Sequence, residues 1–257
     1  MFSFYLGMLI PLAGGLYFLE KKELRGKNKE VRIKRRAMTD RSLWWGVSFF
    51  VLLAADILTF SRGGYLGLGG GMIMVLFMFR DQIKKTYFSL VAALFGIIIL
   101  ATLIPNPASQ RFYSVFDFKE GSNRGRIETW AKAVDVFREN LILGVGLGNY
   151  PLAIKATASY REPIYAHDTY LDIAVETGAL SLASWMIFLF FVFRSFYRQS
   201  RLTAQDSFLA SGAVSIVIFS THSLVETGIY SPVVLGTLMI LGGISTVNAK
   251  CKYQNGK

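Results

Sequence analysis

Seven apolar stretches, separated by polar and charged segments, dominate the pattern of hydrophobic and polar positions along the chain. Nothing in the chain alternates with period two over about ten residues, as the strands of a membrane barrel would. A helix needs about 20 apolar residues to cross the hydrocarbon core, with boundaries uncertain by about 2–4 residues. The pattern therefore predicts an all-α, polytopic membrane protein with about seven transmembrane helices. The stretches cover residues 2–19, 43–60, 64–79, 86–104, 179–193, 207–222 and 230–247.

The distribution of positive charge predicts how these helices are oriented. The chain has 28 Lys and Arg residues against 17 Asp and Glu residues, a formal net charge of +11. Nineteen of the 28 lie in residues 20–42, 80–85, 194–201 and 250–257, which fall on one side if the helices alternate. The positive-inside rule assigns that side to the cytoplasm. The N-terminus and the long loop 105–178 are then external, since long loops cross regardless of charge.

The same composition narrows the classes of function. Most basic residues flank apolar spans, and no basic run carries the stacking aromatics of a single-strand binder, so nucleic-acid binding is not expected. Cys251 is the only cysteine, which excludes an intrachain disulfide. The first span lacks the basic start of a signal peptide. Because the spans begin outside, we expect an N-terminal half to be missing or separately encoded.

The external loop 105–178 carries an amphipathic helix. The helix is predicted to start at Ser122 and Asn123 and to end near Glu139, because apolar residues recur at three- and four-residue spacing. Its predicted apolar face consists of Ile127, Trp130, Ala131, Val134 and Phe137.

Arg124 and Arg126 lie in the first turn of this predicted helix. Free backbone N–H groups at a helix N-terminus bind anions, and arginine binds phosphate through charge-assisted hydrogen bonds. The two arginines are therefore a candidate phosphate site or, equally well, a solvated surface pair.

Arg62 and His167 are candidate functional residues because of their positions in the chain. Arg62 lies at the junction of the second and third spans, where an arginine is retained most easily if it faces a polar cavity. We interpret it as an anion contact, with snorkelling to the interface as the alternative. His167 precedes a helix with a predicted N-cap at Asp168, and histidine suits general-base chemistry at neutral pH.

Other polar and glycine-rich features favour structural interpretations. Gly63, Gly67 and Gly71 recur every four residues, the pattern of a close helix-packing face. The glycines of residues 143–150 are spaced GxGxG after a helix, which favours a tight turn over a nucleotide loop. His222 and Glu226 are interpreted as a satisfied interfacial pair rather than a polar lining. No HExxH motif or carboxylate cluster indicates a metal, and no cofactor is expected.

Four segments in order resemble the O-antigen ligase and O-antigen polymerase family of bacterial envelope glycosyltransferases. The similar region covers about residues 43–193 of a single integral membrane domain, 1–257. After the fourth segment come a glycine and another membrane helix. The segments are Ser61-Arg62-Gly63, residues 126–130 (RIETW), residues 143–150 (LGVGLGNY) and residues 166–171 (AHDTYL).

This resemblance implies a GT-C-like fold and a metal-independent glycosyltransferase of the bacterial cytoplasmic membrane. Such enzymes take a glycan from an undecaprenyl-pyrophosphate donor and pass it to a glycan or lipid-glycan acceptor at the outer face. By resemblance, Arg62 and Arg126 would hold the pyrophosphate, with Arg124 as the alternative to Arg126, and His167 would engage the acceptor hydroxyl. The family usually has His-Asn where this chain has His167-Asp168, and about a dozen spans.

Several alternatives stay open from the sequence. The acceptor could be another lipid-linked glycan, which would make the protein a polymerase rather than a ligase. A partner-dependent half or an inactive fragment of such an enzyme is a second alternative. A transporter is less favoured, because Asp56 is the only acid inside a predicted span and no paired, interrupted repeat is visible.

Overall fold

The computed structural model describes residues 2–24, 32–80, 121–155, 165–202 and 207–255, which form eight helices and no strand. They are α1 (Phe2–Leu24), α2 (Arg32–Leu58), α3 (Arg62–Phe79), α4 (Gly121–Glu139), α5 (Tyr150–Ile154), α6 (Thr169–Leu202), α7 (Ser207–His222) and α8 (Pro232–Asn255).

Four of the described helices are long and apolar enough to cross a membrane. The candidate spans lie within Phe2–Lys21, Arg41–Leu58, Arg62–Phe79 and Thr169–Arg201, and two further apolar segments, in α7 and α8, are shorter. The described part of the protein is therefore all-helical, and its long apolar helices indicate a membrane protein. The predicted span 86–104 lies outside the described residues, so the count of seven stays a prediction.

The fifth predicted span differs most from the observed helix. The apolar pattern predicts a span over 179–193, whereas α6 begins at Thr169 and continues to Leu202. The first turns of α6 carry polar side chains, Asp172 and Glu176, that are buried against the rest of the protein. A hydropathy pattern misses these turns because they are stabilised by hydrogen bonds rather than by lipid.

Helix α7 is the centre of the bundle and packs against α1, α3 and α6. Leu209, Ala213, Ile216 and Phe219 are all buried, so that apolar residues cover more than one side of the helix. A helix that is apolar all round is one that is surrounded, which agrees with its central place.

The glycine face of α3 allows it to pack closely against α7. A Cβ atom at Gly67 would lie 3.2 Å from both the side chain and the carbonyl oxygen of Ile218, and one at Gly71 would meet the same side chain. A Cβ at Gly63 would meet the ring of His222. These contacts confirm the predicted packing face.

Polar side chains join α1 to its neighbours. Asp56 on α2 is buried and accepts a hydrogen bond from the Ser3 hydroxyl at 2.6 Å. On α7, the Ser215 hydroxyl donates to the carbonyl of Met8 at 2.8 Å. The acid inside a predicted span is thus bonded between two helices.

Helix α6 is broken at Gly178, whose φ of 79° and ψ of 178° are not helical. A Cβ at this position would collide with the carbonyl group of Ile142, so the break needs glycine. The backbone N–H groups of Val145 and Gly146 donate to the carbonyls of residues 175 and 176, both at 2.9 Å. The glycine-rich segment is therefore a tight turn held against the broken helix, as predicted.

The apolar face predicted for α4 is partly wrong. Ala133 is fully buried, with Trp130 and Phe137 partly buried beside it, whereas Ile127 and Ala131 are exposed. Sequence spacing finds apolar residues but not the direction of their partners. The observed face also includes Arg126, which lies four residues before Trp130. The Arg126 side chain turns toward the carboxylate of Glu226 on another segment.

Candidate functional site

The carboxylate of Glu226 connects three segments of the chain. Its Oε1 atom lies 3.0 Å from Nδ1 of His167, and its Oε2 atom accepts a hydrogen bond from the Arg126 guanidinium at 3.3 Å. The backbone N–H of Thr227 also donates to Oε1, at 3.3 Å. A cation and an imidazole therefore share one carboxylate.

Glu226 lies in the turn between α7 and α8, and Thr169 holds that turn in place. The Thr169 hydroxyl donates to the carbonyl oxygen of Glu226 at 3.0 Å and accepts from the backbone N–H of Gly228 at 3.2 Å. The Thr169 backbone N–H donates to the carbonyl of Ser223 at 2.9 Å. The start of α6 thus fixes the backbone on both sides of the carboxylate.

Asp172 ties the His167 loop to the same turn. One of its oxygens accepts from the backbone N–H of Ala166 at 2.8 Å, and the other accepts from the Thr227 hydroxyl. Ala166 and Thr227 are the immediate neighbours of His167 and Glu226. The buried carboxylate of Asp172 therefore fixes the distance between the backbones of His167 and Glu226.

His167 has an unusual backbone conformation. Its φ is 55°, in the left-handed region that few residues other than glycine adopt. The next residue, Asp168, accepts hydrogen bonds from the backbone N–H groups of Tyr170 and Leu171, at 2.8 and 3.0 Å. This confirms the predicted N-cap of α6. Strained backbone of this kind clusters at functional sites.

The carboxylate determines which nitrogen of His167 is available. An ionised carboxylate only accepts hydrogen bonds, so Nδ1 of a neutral His167 carries the proton that points to Glu226. Nε2 then presents a lone pair away from Glu226. An imidazole oriented in this way by a carboxylate is suited to accept a proton from a hydroxyl group.

The electrostatic surroundings keep Glu226 ionised. Burial by itself would raise the pKa of Glu226, but the hydrogen bond from His167 and the charges of His167 and Arg126 lower that pKa below its ordinary value of 4.5. Glu226 is therefore a carboxylate at neutral pH, as its bonds to both partners require.

The two candidate arginines of α4 have different partners. Arg126 reaches Glu226, and 23% of its side chain is exposed. Arg124, two residues earlier, is 74% exposed and forms an ion pair with Glu128 on the same helix at 2.9 Å. The structure thus brings Arg126 into the group around His167 and leaves Arg124 in a surface pair, one of the two possibilities that the sequence allowed.

Arg62 lies at the same end of the bundle as Glu226, because the next residue, Gly63, packs against the segment before Glu226. It begins α3, where Ser61 is the N-cap and accepts from the backbone N–H of Gly64 at 3.2 Å. A Cβ at Gly63 would meet His222 and Val225, and Val225 adjoins Glu226. The backbone of Arg62 is therefore placed beside the turn that carries Glu226, with its side chain half-buried.

His222 and Glu226 were predicted to pair, but in the structure each side chain has different partners. His222 is fully buried and stacks on Phe4, with ring centroids 3.7 Å apart. Glu226 instead turns toward His167 and Arg126. The sequence therefore singled out Glu226 but assigned it the wrong partner.

An apolar groove of about 710 Å³ runs between α6 and α7 and begins beside the site, at the neighbour of His167. Asp168 and Leu224 line it near the site, and Phe193 lines it far down α6. Its walls are mostly aliphatic and aromatic. The remaining lining residues are Tyr170, Leu171, Leu182, Met186, Leu189, Phe190, Ile216, Val217, Ser220 and Thr221.

Three residues that hold the site were missed from the sequence: Glu226 as the shared carboxylate, and Thr169 and Asp172 as its supports. Thr169 and Asp172 lie beside His167, within or next to the segment that carries the resemblance, and could have been found there. Glu226 was noticed beside His222, but no local pattern links it to His167 or Arg126. Within the described residues, no group of three or more His, Cys, Asp or Glu side chains could hold a metal ion.

Comparison with known protein families supports the resemblance. The family model for O-antigen ligase matches residues 47–186, more than half of the chain, and includes Arg62, Arg126 and His167. No curated protein matches the chain. Family membership indicates a glycan-transferring membrane enzyme of surface polysaccharide biosynthesis. The matched region and the helical membrane fold together show that the chain belongs to the O-antigen ligase family.

Proposed function

We propose that the chain transfers a glycan from an undecaprenyl-pyrophosphate carrier to an acceptor hydroxyl at the outer face of the bacterial cytoplasmic membrane. The observation that carries this proposal is the Glu226 carboxylate, which joins His167 and Arg126 at 3.0 and 3.3 Å. It sets a proton acceptor beside a cation, and the reaction needs both. Family membership supports the further expectation of a GT-C-like fold.

The two partners of Glu226, His167 and Arg126, have different tasks in the proposed reaction. Nε2 of His167 takes the proton of the acceptor hydroxyl as its oxygen attacks the anomeric carbon of the donor. The bond from that carbon to the pyrophosphate oxygen breaks, and the pyrophosphate leaves on the carrier lipid. Arg126, with donors left after its bond to Glu226, and Arg62 stabilise the negative charge on the leaving group.

A lipid-linked donor fits the surroundings of the site. The groove between α6 and α7 begins at Asp168, the neighbour of His167, and its lining is mostly apolar. A long hydrocarbon tail matches this groove, and the anionic head of the same molecule would lie at Arg126 and Arg62. This match supports a polyprenyl carrier over a water-soluble sugar nucleotide.

The proposed reaction needs no metal ion, because arginines supply the positive charge that a metal would otherwise supply. Transfer is therefore expected to continue in the presence of a strong chelator. Loss of transfer on chelation, with recovery on adding a divalent cation, would contradict this part of the proposal.

The test compares Arg126→Ala with Arg124→Ala in purified protein reconstituted in lipid. Both changes remove one arginine from the same helix, but only Arg126 contacts Glu226. We expect transfer to fall about 10²–10³-fold for Arg126→Ala, the usual cost of removing one transition-state donor. Arg124→Ala should stay close to wild type. His167→Ala should lose about 10²–10⁴-fold, as for a general base.

Equal effects of the two arginine changes would contradict the assigned site. Normal transfer by His167→Ala would remove its proposed role. The products separate the remaining alternatives: polymer lengthened on carrier lipid indicates a polymerase, and glycan moved to a different acceptor indicates a ligase. Transfer that appears only with a second co-expressed membrane chain would assign a partner-dependent half.

A further inference from the structure

A short loop after α4 exposes large apolar side chains. We call residues 141–147 the leucine loop. Ile142, Leu143 and Leu147 are 73%, 78% and 76% exposed, and Leu141 is about half exposed. Neighbouring exposed apolar side chains in this number mark a contact with lipid or with another protein.

The leucine loop is bound to the place where α6 is broken. The backbone N–H of Ala179 donates to the carbonyl of Leu141 at 2.8 Å, and the Ile142 carbonyl packs on Gly178. The side chain of Asn149 closes the turn by donating to the Val145 carbonyl at 3.0 Å. The loop is therefore held at one level of α6.

That level coincides with one boundary of the membrane. Ala179 to Arg201 is 23 residues of helix, about 34 Å long at 1.5 Å per residue, against a hydrocarbon core of about 30 Å. Arg194, Arg198 and Arg201 mark the far end of this helix. If those arginines lie at one headgroup layer, Gly178 and the loop bonded to it lie at the other.

The leucine loop is also continuous with the lipid-facing side of α6. Leu180, two residues after the break, is 71% exposed, and Ile187 and Phe191 are exposed further along the helix. In a spanning helix these side chains contact acyl chains. The exposed side chains of the leucine loop extend the same apolar surface upward.

We propose that the leucine loop inserts its side chains into the outer part of the bilayer and anchors the external part of the protein to the lipid surface. The occupant of this surface is lipid, because the loop adjoins a surface that lipid already covers. The anchor acts through the backbone bonds to residues 175 and 176, and Glu176 in turn accepts from the Tyr230 hydroxyl at 2.6 Å. It thereby holds the Glu226 turn at headgroup depth.

This inference does not depend on the proposed reaction, so it can be tested by measuring how deep the leucine loop lies in the bilayer. In a Cys251→Ser background, single cysteines replace Leu143, Asp135 and Phe191 and carry an environment-sensitive fluorophore in lipid nanodiscs. Asp135 is an exposed polar position on α4, so it is the control for water, and Phe191 is the control for lipid. Leu147→Cys provides a second reporter if Leu143→Cys does not fold.

We expect the label at position 143 to show blue-shifted emission, quenching by lipids with a spin label near the headgroup, and several-fold slower reaction with a water-soluble reductant than at position 135. A label at 143 that behaves like the label at 135 would overturn the proposal. A label that is protected from the reductant but not quenched by lipid would also overturn it, because protein would then cover the loop.

Discussion

At the scale of single residues, the site depends on one acid that serves two partners. Glu226 offers one oxygen to His167 and the other to Arg126, and it accepts a backbone N–H as well. An ionised carboxylate can do this because it has acceptors only. No neutral side chain of the same shape can replace both bonds.

Glu226→Gln tests this directly. A glutamine has one acceptor oxygen, so it either loses Arg126 or presents its NH₂ group to Nδ1 of His167, which favours the tautomer with the proton on Nε2. We expect kcat for glycan transfer to fall by about 10²-fold or more, as for a misplaced catalytic group. Steady-state kinetics with a saturating donor would measure it.

Glu128→Gln is the matched control for this change. Glu128 is also a glutamate paired with an arginine, but both side chains are exposed. Surface pairs contribute about 0–1 kcal/mol, so the control should keep its activity and stability. Equal loss in both variants would argue against a special role for Glu226.

The lowered pKa of Glu226 predicts a pH dependence of stability. A carboxyl group whose pKa is lowered on folding stabilises the protein above its unfolded pKa of 4.5, and this contribution disappears as the pH falls through the folded value. The wild type should therefore unfold at a higher temperature than Glu226→Gln at neutral pH. The difference should shrink only below pH 4.5. A difference that vanishes already at pH 6 would be inconsistent with the ion pair between Arg126 and Glu226.

At the scale of helices, the packing of α3 on α7 fixes the position of Arg62, which is the first residue of α3. The contact needs glycine because the two backbones approach too closely for side chains. Packing at Gly67 and Gly71 holds α3, and Gly63 then meets the residues just before Glu226. The same stripe therefore serves stability and the placement of the site.

Gly67→Leu is expected to disrupt this packing, since even a Cβ would lie 3.2 Å from the Ile218 carbonyl. Overpacking of this kind typically costs about 1–3 kcal/mol, which thermal unfolding in detergent would detect. Gly69→Leu is the control on the same helix, because nothing lies within 4 Å of a Cβ there. Similar unfolding temperatures for the two variants would contradict the assigned face.

At the scale of the whole molecule, the site and the apolar groove belong to one surface. The groove follows α6 and α7 away from Asp168, so an occupant would extend from the neighbour of His167 along these two helices. If it receives the hydrocarbon tail of the donor, the length of that tail should affect transfer.

Met186→Trp places a bulky ring in the groove and tests this. We expect transfer from a long-chain polyprenyl donor to drop several-fold, with little change for a short-chain analogue that does not reach residue 186. Ile187→Trp is the control, because Ile187 is next in the chain and exposed but does not line the groove. Identical effects of the two variants on both donors would show that the groove does not hold the tail.

The sequence by itself determined the helical membrane class, the approximate ends of α3, α4 and α7, and the close-packing glycine face. These follow from apolar composition and local spacing, which act within one helix. The N-cap at Asp168 and the tight turn of the glycine-rich segment were predictable for the same reason. The ordered motifs also indicated the family, with Arg62, Arg126 and His167 among the candidate residues.

Only the tertiary structure decided which of these residues meet. Glu226 is 59 residues from His167 and 100 residues from Arg126, and no local pattern connects such distant positions. The choice between Arg124 and Arg126 depends on the rotation of α4 against Tyr150, which spacing alone misjudged. The packing of α3, α4, α6 and the α7–α8 turn brings the charges together, and it is a property of the folded bundle rather than of any one segment.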